Sequence, residues 1–446
     1  MYHWIAAVSP ERLRGFLSFQ TGMFSVFAWV FTTASTNLIY AQNFMALVAL
    51  YHTDMTIETW QTFVVYQALN LITAAIVIWG NRIIPALNKF SLFYLQIGWF
   101  VVMITVVACA PTHQNSKFVF RTWINNTGWE NQVICFITGL VNPLYSLGGL
   151  DGVTHLTEEM PNPSRNAPLA IAITLGIAFV TGITYLIALM FSVQDYSALS
   201  STNTGLPLAE LFRQVTRNAG GAFALTFILF IALGPCVISS QLTTGRMFWA
   251  FSRDGGMPFS NTWSKVNHRL QMPLNSQIAV TAIVAALGCL YLGSSTAFNS
   301  LLGSAVTINN CAYLVPILTN LLTGRKNMYK GVFHMSGYKG LFVNIVTVCW
   351  LVFAIVFFSF PYYKPVIGKL FLAHRKNMYA NLSYSCKHEL YMFGRWWAHA
   401  IPTGMVHQGQ GPLQRANSKS KRGMMFFHNW KFSNARHQTN PLQASN

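Results

Sequence analysis

Nine apolar runs recur along this chain, each about as long as the ~20 residues a helix needs to cross a ~30 Å hydrocarbon core. They lie at 16–49, 61–79, 88–110, 132–152, 168–192, 221–250, 274–293, 298–322 and 341–361. Backbone polar groups in hydrocarbon must bond within their own segment, which makes each run a helix. The fold class that follows is all-α, a polytopic bundle of about nine transmembrane helices. The first and sixth runs exceed the membrane thickness, so they tilt or continue into the cytoplasm. Only 9% of the 446 residues are charged and 53% are hydrophobic. Soluble domains carry about 25% charge, so water is not the main solvent here.

The formal net charge of +18 does not mark a nucleic-acid site, because its distribution follows the membrane. With the N-terminus in the cytoplasm, the inner segments up to Tyr363 hold 13 Lys and Arg and the outer loops hold four (Lys117, Arg121, Arg213, Arg217). That asymmetry sets the orientation. Six cysteines (Cys109, Cys135, Cys236, Cys289, Cys311, Cys349) fall in or beside apolar runs with no pairing or metal spacing, as small packing residues do. Asn125-Asn126-Thr127 is a glycosylation sequon in a loop predicted to be outside. No phosphate loop, nucleophile elbow or metal-ligand cluster is present, so neither catalysis nor a cofactor is expected.

The membrane domain is expected over 1–363, with short loops punctuated by Pro and Gly. The longest outer loops, 111–131 and 193–219, are placed to cover an entrance. YHWIAAVSPERLRG at the start carries no signal-peptide pattern. From 364 to 446 the chain is basic, with Glu389 its only acid, and no apolar periodicity supports a stable structure. Nine helices put this tail outside, where twelve Lys and Arg are out of place. A C-terminal end replaced through a change of reading frame accounts for that mismatch.

The stretch SLGGLDGVTHLTEEMPNPSRNAP, Ser146 to Pro168, is where chemistry concentrates. Asp151 follows the pair Gly148 and Gly149 at the cytoplasmic end of an apolar run. An acid in the membrane costs about 2.5–3.5 kcal/mol on insertion scales, so it faces a cavity and has a task. Proton coupling, attraction of a cationic solute and gating all fit; simple hydration at a helix end is the bland alternative. Pro143, Gly148 and Gly149 favour unwinding, which frees backbone groups to hold a solute. Tyr145 and Ser146 precede the break, and an aromatic there can close over an ammonium group. Tight helix contact explains the glycines equally well. Glu158 and Glu159, with His155 and Arg165, form a charged cluster suited to a gating ion pair or to plain hydration.

Ser239 and Ser240 place hydroxyls within the sixth run, after Gly234 and Pro235. They border a solute path or bond their own backbone one turn back. GRMFWAFSRDGGMP, Gly245 to Pro258, ends that run in a Gly-rich turn.

DGVTHLTEEMPNPSRNAP (Asp151 to Pro168) and GRMFWAFSRDGGMP together resemble the fungal amino acid/choline transporter family, the GABA-permease-like branch of the amino acid–polyamine–organocation superfamily. YHW (Tyr2 to Trp4), NTGW (Asn126 to Trp129) and STAFNSL (Ser295 to Leu301) agree with it. The resemblance covers residues 2–361. It implies a fold of two inverted five-helix repeats plus two helices, with alternating access to a midplane site and proton-driven uptake. Substrates implied are amino acids or related amines such as GABA or choline, and the plasma membrane is the implied location. By that analogy Asp151 occupies an acidic position of family helix six, Tyr145 a gating aromatic, and Ser239 and Ser240 border the site from helix eight. YHW follows family helix two, so this chain is expected to hold family helices three to eleven and to transport poorly by itself. A non-transporting membrane remnant, or a binding or regulatory protein, is the alternative reading; a membrane receptor is a distant third.

Overall fold

The computed structural model describes residues 1–360 except 53–54, 126, 201, 203, 294 and 327–330; the side chains of 156, 158, 159, 200 and 295–302 also fall outside the described set. The tail expected over 364–446 therefore lies outside the described residues. Fifteen helices follow one another: α1 (Tyr2–Val8), α2 (Arg14–Ala49), α3 (Thr59–Trp79), α4 (Ile84–Cys109), α5 (Ser116–Arg121), α6 (Gln132–Gly139), α7 (Val141–Ser146), α8 (Pro163–Ser192), α9 (Tyr196–Ser200), α10 (Pro207–Thr216), α11 (Ala219–Arg253), α12 (Ser260–Trp263), α13 (Leu274–Gly293), α14 (Ser295–Leu322) and α15 (Gly337–Phe357). A 3₁₀ segment, Leu150–Glu159, separates α7 from α8. Among the described residues, nine stretches are long and apolar enough to cross a membrane, each overlapping one of the nine apolar runs.

Helix boundaries follow local chemistry. The α3 start is a capping box, in which the Glu58 amide donates to Gln61 Oε1 at 3.0 Å. Asn218 caps α11 by accepting from the Gly220 amide at 3.0 Å. Pro163 opens α8, where its missing N–H costs nothing.

Most of the apolar stretch of α2 is buried, while none of that of α8 is. The reason is in the side chains. The buried face of α2 carries Gly22, Ser25, Ala28, Thr33, Ala34, Ser35 and Ala41, small residues that let α11 and α14 approach closely. In a bilayer the hydrophobic effect does not drive helices together, so close packing and interhelical hydrogen bonds must. The outward faces of α3, α4, α8 and α15 instead display Leu71, Phe93, Phe179 and Phe342. Such residues are at home against lipid.

Polar groups stitch the α2–α3–α13 side. Asn37 Nδ2 donates to the Tyr66 carbonyl (3.1 Å), Tyr66 Oη to the Val284 carbonyl (2.8 Å) and Asn70 Nδ2 to the Thr281 carbonyl (3.1 Å). On the side predicted to be outside, the two long loops are joined. The Gln114 amide donates to the Phe191 carbonyl (2.7 Å) and Gln194 Nε2 to the Thr112 carbonyl (2.7 Å). The second loop is not irregular. Its amphipathic α10 buries Leu211, Phe212 and Val215 against α4 and α11, with Glu210 pinned by a bidentate Arg213 at 2.9 Å.

Candidate functional site

The break expected between Tyr145 and Asp151 is present. α7 ends at Ser146, and Gly149 stands at φ +74°, in the left-handed region that other residues enter at a cost. This turn converts an α-helix into the 3₁₀ segment and rotates Asp151 inward, where it is 3% exposed. A second interruption, at Leu140 between α6 and α7, lies three residues before Pro143, within the stretch expected to unwind.

A buried carboxylate needs donors; α2 supplies one, and the 3₁₀ segment and α14 bring two more polar groups close to it. Trp29 Nε1 on α2 donates to Asp151 Oδ2 at 3.0 Å. His155 Nε2, one turn along the 3₁₀ segment, lies 3.4 Å from the same oxygen. The Tyr313 hydroxyl faces the carboxylate from α14. The benzo edge of the Trp29 indole also lies against the broken backbone. A methyl group on Gly152 would sit 3.3 Å from Cη2 of that ring, and one on Gly149 would sit 4.0 Å away. Trp29 and His155 meet edge to face, their ring centroids 5.9 Å apart. Asp151 Oδ1, also buried, has no hydrogen-bond partner among the described residues. An acceptor of that kind can take a proton or the N–H of an ammonium group.

Above Asp151, toward the bilayer middle, hydroxyls from α2 face those of α7 and α11. Tyr145 Oη lies 3.0 Å from Ser35 Oγ, Ser240 Oγ 3.3 Å from Thr36 Oγ1, and Thr244 Oγ1 2.7 Å from Thr33 Oγ1. Thr244 also donates to the Trp29 carbonyl at 3.2 Å, tying this row to the Asp151 cluster. The exposed thiol Cys236 lies beside Tyr145.

Asp151, Tyr145 and Ser240 are therefore brought to one region. Ser239 is not: its Oγ turns to Asn88 Oδ1 on α4 at 3.3 Å. Ser146 bonds its own backbone at the Asn142 carbonyl (3.0 Å) and is exposed, while Gly148 and Gly149 form the turn itself. The Glu158 and Glu159 side chains lie outside the described residues. Among the described residues no group of His, Cys, Asp and Glu is arranged for a metal.

Trp29, Tyr313, Ser35, Thr33, Thr36 and Thr244 were not singled out from the sequence. A usable signal existed for four of them. Thr-Thr-Ala-Ser-Thr (Thr32 to Thr36) and the Thr243-Thr244 pair are dense hydroxyl runs within apolar spans. Trp29 and Tyr313 had none, since they reach Asp151 across 122 and 162 residues of chain.

Apart from this region, a cavity of about 310 Å³ lies at the outer ends of α2, α3 and α13, lined by Gln42, Thr56, Thr59, Thr62, Thr204 and Tyr291 among others. It has hydroxyl and amide walls and no charged side chain.

The family model described as amino acid permease matches residues 1–374. The choline transporter of Saccharomyces cerevisiae is 38% identical over 367 residues, and the match covers 82% of this chain and 64% of that protein. The swainsonine transporter of Arthroderma benhamiae is 32% identical over 372 residues, covering 82% of this chain and 72% of that one. The amino-acid permease BAT1 homolog of Oryza sativa is 30% identical over 381 residues, covering 82% and 73%.

Proposed function

Since the chain belongs to the amino acid permease family, we propose that it is the core of a proton-coupled carrier of small amino compounds working by alternating access. Amino acids and amines such as choline or GABA are its substrate class, and the plasma membrane is its location. The single observation behind this reading is the buried, unpartnered Oδ1 of Asp151 beside the Gly149 break. Trp29 holds Oδ2 in place with His155 beside it, which leaves Oδ1 to exchange a proton or receive a solute ammonium. Gly148 and Gly149 give the turn its free backbone groups, Ser240 and Tyr145 border the path above, and Ser146, Glu158 and Glu159 belong to its cytoplasmic exit. The hydroxyl row suits a polar solute with no net demand for fixed charge.

The chain spans 64% of the length of the yeast choline transporter, so the test uses the chain with whatever segments flank it in its source. Vesicles carrying that protein are given radiolabelled choline or γ-aminobutyrate under an imposed proton gradient. Uptake that collapses with the gradient, and an Asp151→Asn variant that no longer responds to it, are the expected results. Gradient-independent uptake by the parent, or an unchanged response in the variant, would overturn the role of Asp151. Binding without uptake would favour a binding or regulatory protein.

A further inference from the structure

The motifs YHW and RDGG, separated by 252 residues of chain between Tyr2 and Asp254, meet in space. Tyr2 Oη donates to Asp254 Oδ2 at 2.8 Å, and His3 Nε2 lies 3.4 Å from the same oxygen. Arg253 Nε is 3.8 Å from Oδ1. Asp254 is the C-cap of α11. A carboxylate there opposes the helix dipole, whose negative end it adds to. Its side chain is also 8% exposed. Position and burial both disfavour an acid, so its donors account for its being held there.

The surrounding packing is tight. Phe251 is wedged between Gly22 and Gly256, where any Cβ would collide with its ring. Tyr2 meets Phe251 edge-on at 5.5 Å, and Phe19 lies 5.9 Å away on another side. Ser18 Oγ of α2 holds the Tyr2 carbonyl at 2.8 Å. α1 thus packs against α2 and α14, two of the helices that surround Asp151, with its first residues at Asp254, on the side predicted to be cytoplasmic.

We propose that Tyr2 and Asp254 are positioning residues that latch α1 across the cytoplasmic exit of the solute path. The latch rests on the alternating-access reading: its making closes the inner exit, and its release opens it. Neither residue touches the solute. Their hydrogen bond sets the ratio of outward-open to inward-open protein.

Cys236, exposed beside Tyr145 near the middle of α11, is a native reporter of that ratio. The full chain is prepared with its other cysteines replaced by serine, in vesicles of both orientations. A charged thiol reagent is then applied from one face at a time. Tyr2→Phe and Asp254→Asn each raise Cys236 labelling from the cytoplasmic face about tenfold and lower it from the outer face. A change of that size follows from losing one charge-assisted hydrogen bond. The double variant labels no faster than either single one, because both remove the same bond. Ser18→Ala shifts both rates in the same directions, and it serves if Asp254→Asn folds poorly. Unchanged rates overturn the latch, and so does a rise from both faces, which reports a loosened fold. The readout needs no uptake. Opposite shifts in a protein that fails the proton-gradient test would leave the latch standing and remove only the proton-coupled reading.

Discussion

Replacing Trp29 with Phe, alone and together with Asp151→Asn, measures the bond at the centre of the site and also reports the charge of its acceptor. Trp29→Phe removes the Nε1–H that reaches Asp151 Oδ2 at 3.0 Å. It also removes ring atoms that lie against Gly149 and Gly152. The packing loss is common to both backgrounds and cancels in a double-mutant cycle, leaving the pairwise term. That term has two possible sizes. A hydrogen bond to an ionised group contributes about 1.5–3 kcal/mol. Neutral interhelical bonds in a membrane protein average about 0.6 kcal/mol. The cycle is read from reversible unfolding in mixed micelles, which needs no transport activity. With Asp151 ionised, the coupling is about 1.5–3 kcal/mol at high pH and falls toward about 0.6 kcal/mol as pH drops and the carboxyl protonates. The sign follows because the Trp29 donor favours the charged form, so its contribution is lost on acidification. Coupling near zero at every pH would refute the claim that this bond orients the carboxylate. A flat value near 0.6 kcal/mol would refute a titrating Asp151.

Three further outcomes follow from other parts of the molecule. Gly149→Ala forces a Cβ into φ +74° and should cost about 1–2 kcal/mol in the same unfolding assay, whereas Gly176→Ala, in open space within α8, should not destabilise. In the outer helix α10, Arg213→Ala strands the buried Glu210 carboxylate and should cost about 1–3 kcal/mol; Glu210→Gln leaves a half-exposed, hydrated Arg213 and should cost under about 1 kcal/mol, an order that thermal unfolding checks. Ser240→Ala should change the KM for whichever probe is taken up while Ser239→Ala leaves it unchanged, because only Ser240 faces α2; equal effects would contradict that placement.

The spans were legible from the sequence because the bilayer sets their length directly. The expected runs at 132–152 and 274–293 begin where α6 and α13 begin. A break at the Gly148-Gly149 pair was legible too, although close helix contact explained the two glycines equally well. Partners across the bundle were not. Asp151 could be flagged as costly in hydrocarbon, but Trp29 and Tyr313 become its neighbours only once α2 and α14 pack around the break. Ser239 and Ser240 were indistinguishable in sequence. The 100° between successive residues on a helix sends one to α4 and the other to α2. The outer loop 193–219 misled in the opposite direction, because its charged residues obscured the amphipathic pattern of α10.

The hydroxyl pairs Tyr145–Ser35, Ser240–Thr36 and Thr244–Thr33 share a property that fixed charges lack. In each, either oxygen can be the donor. Turning the O–H bonds about their C–O axes reverses the polarity of the row without moving a heavy atom. Each pair can thus present either a lone pair or a proton on the same side. In the carrier proposed above, rotors of this kind would accommodate chemically diverse amino compounds at little cost in structure, with discrimination by charge falling to Asp151.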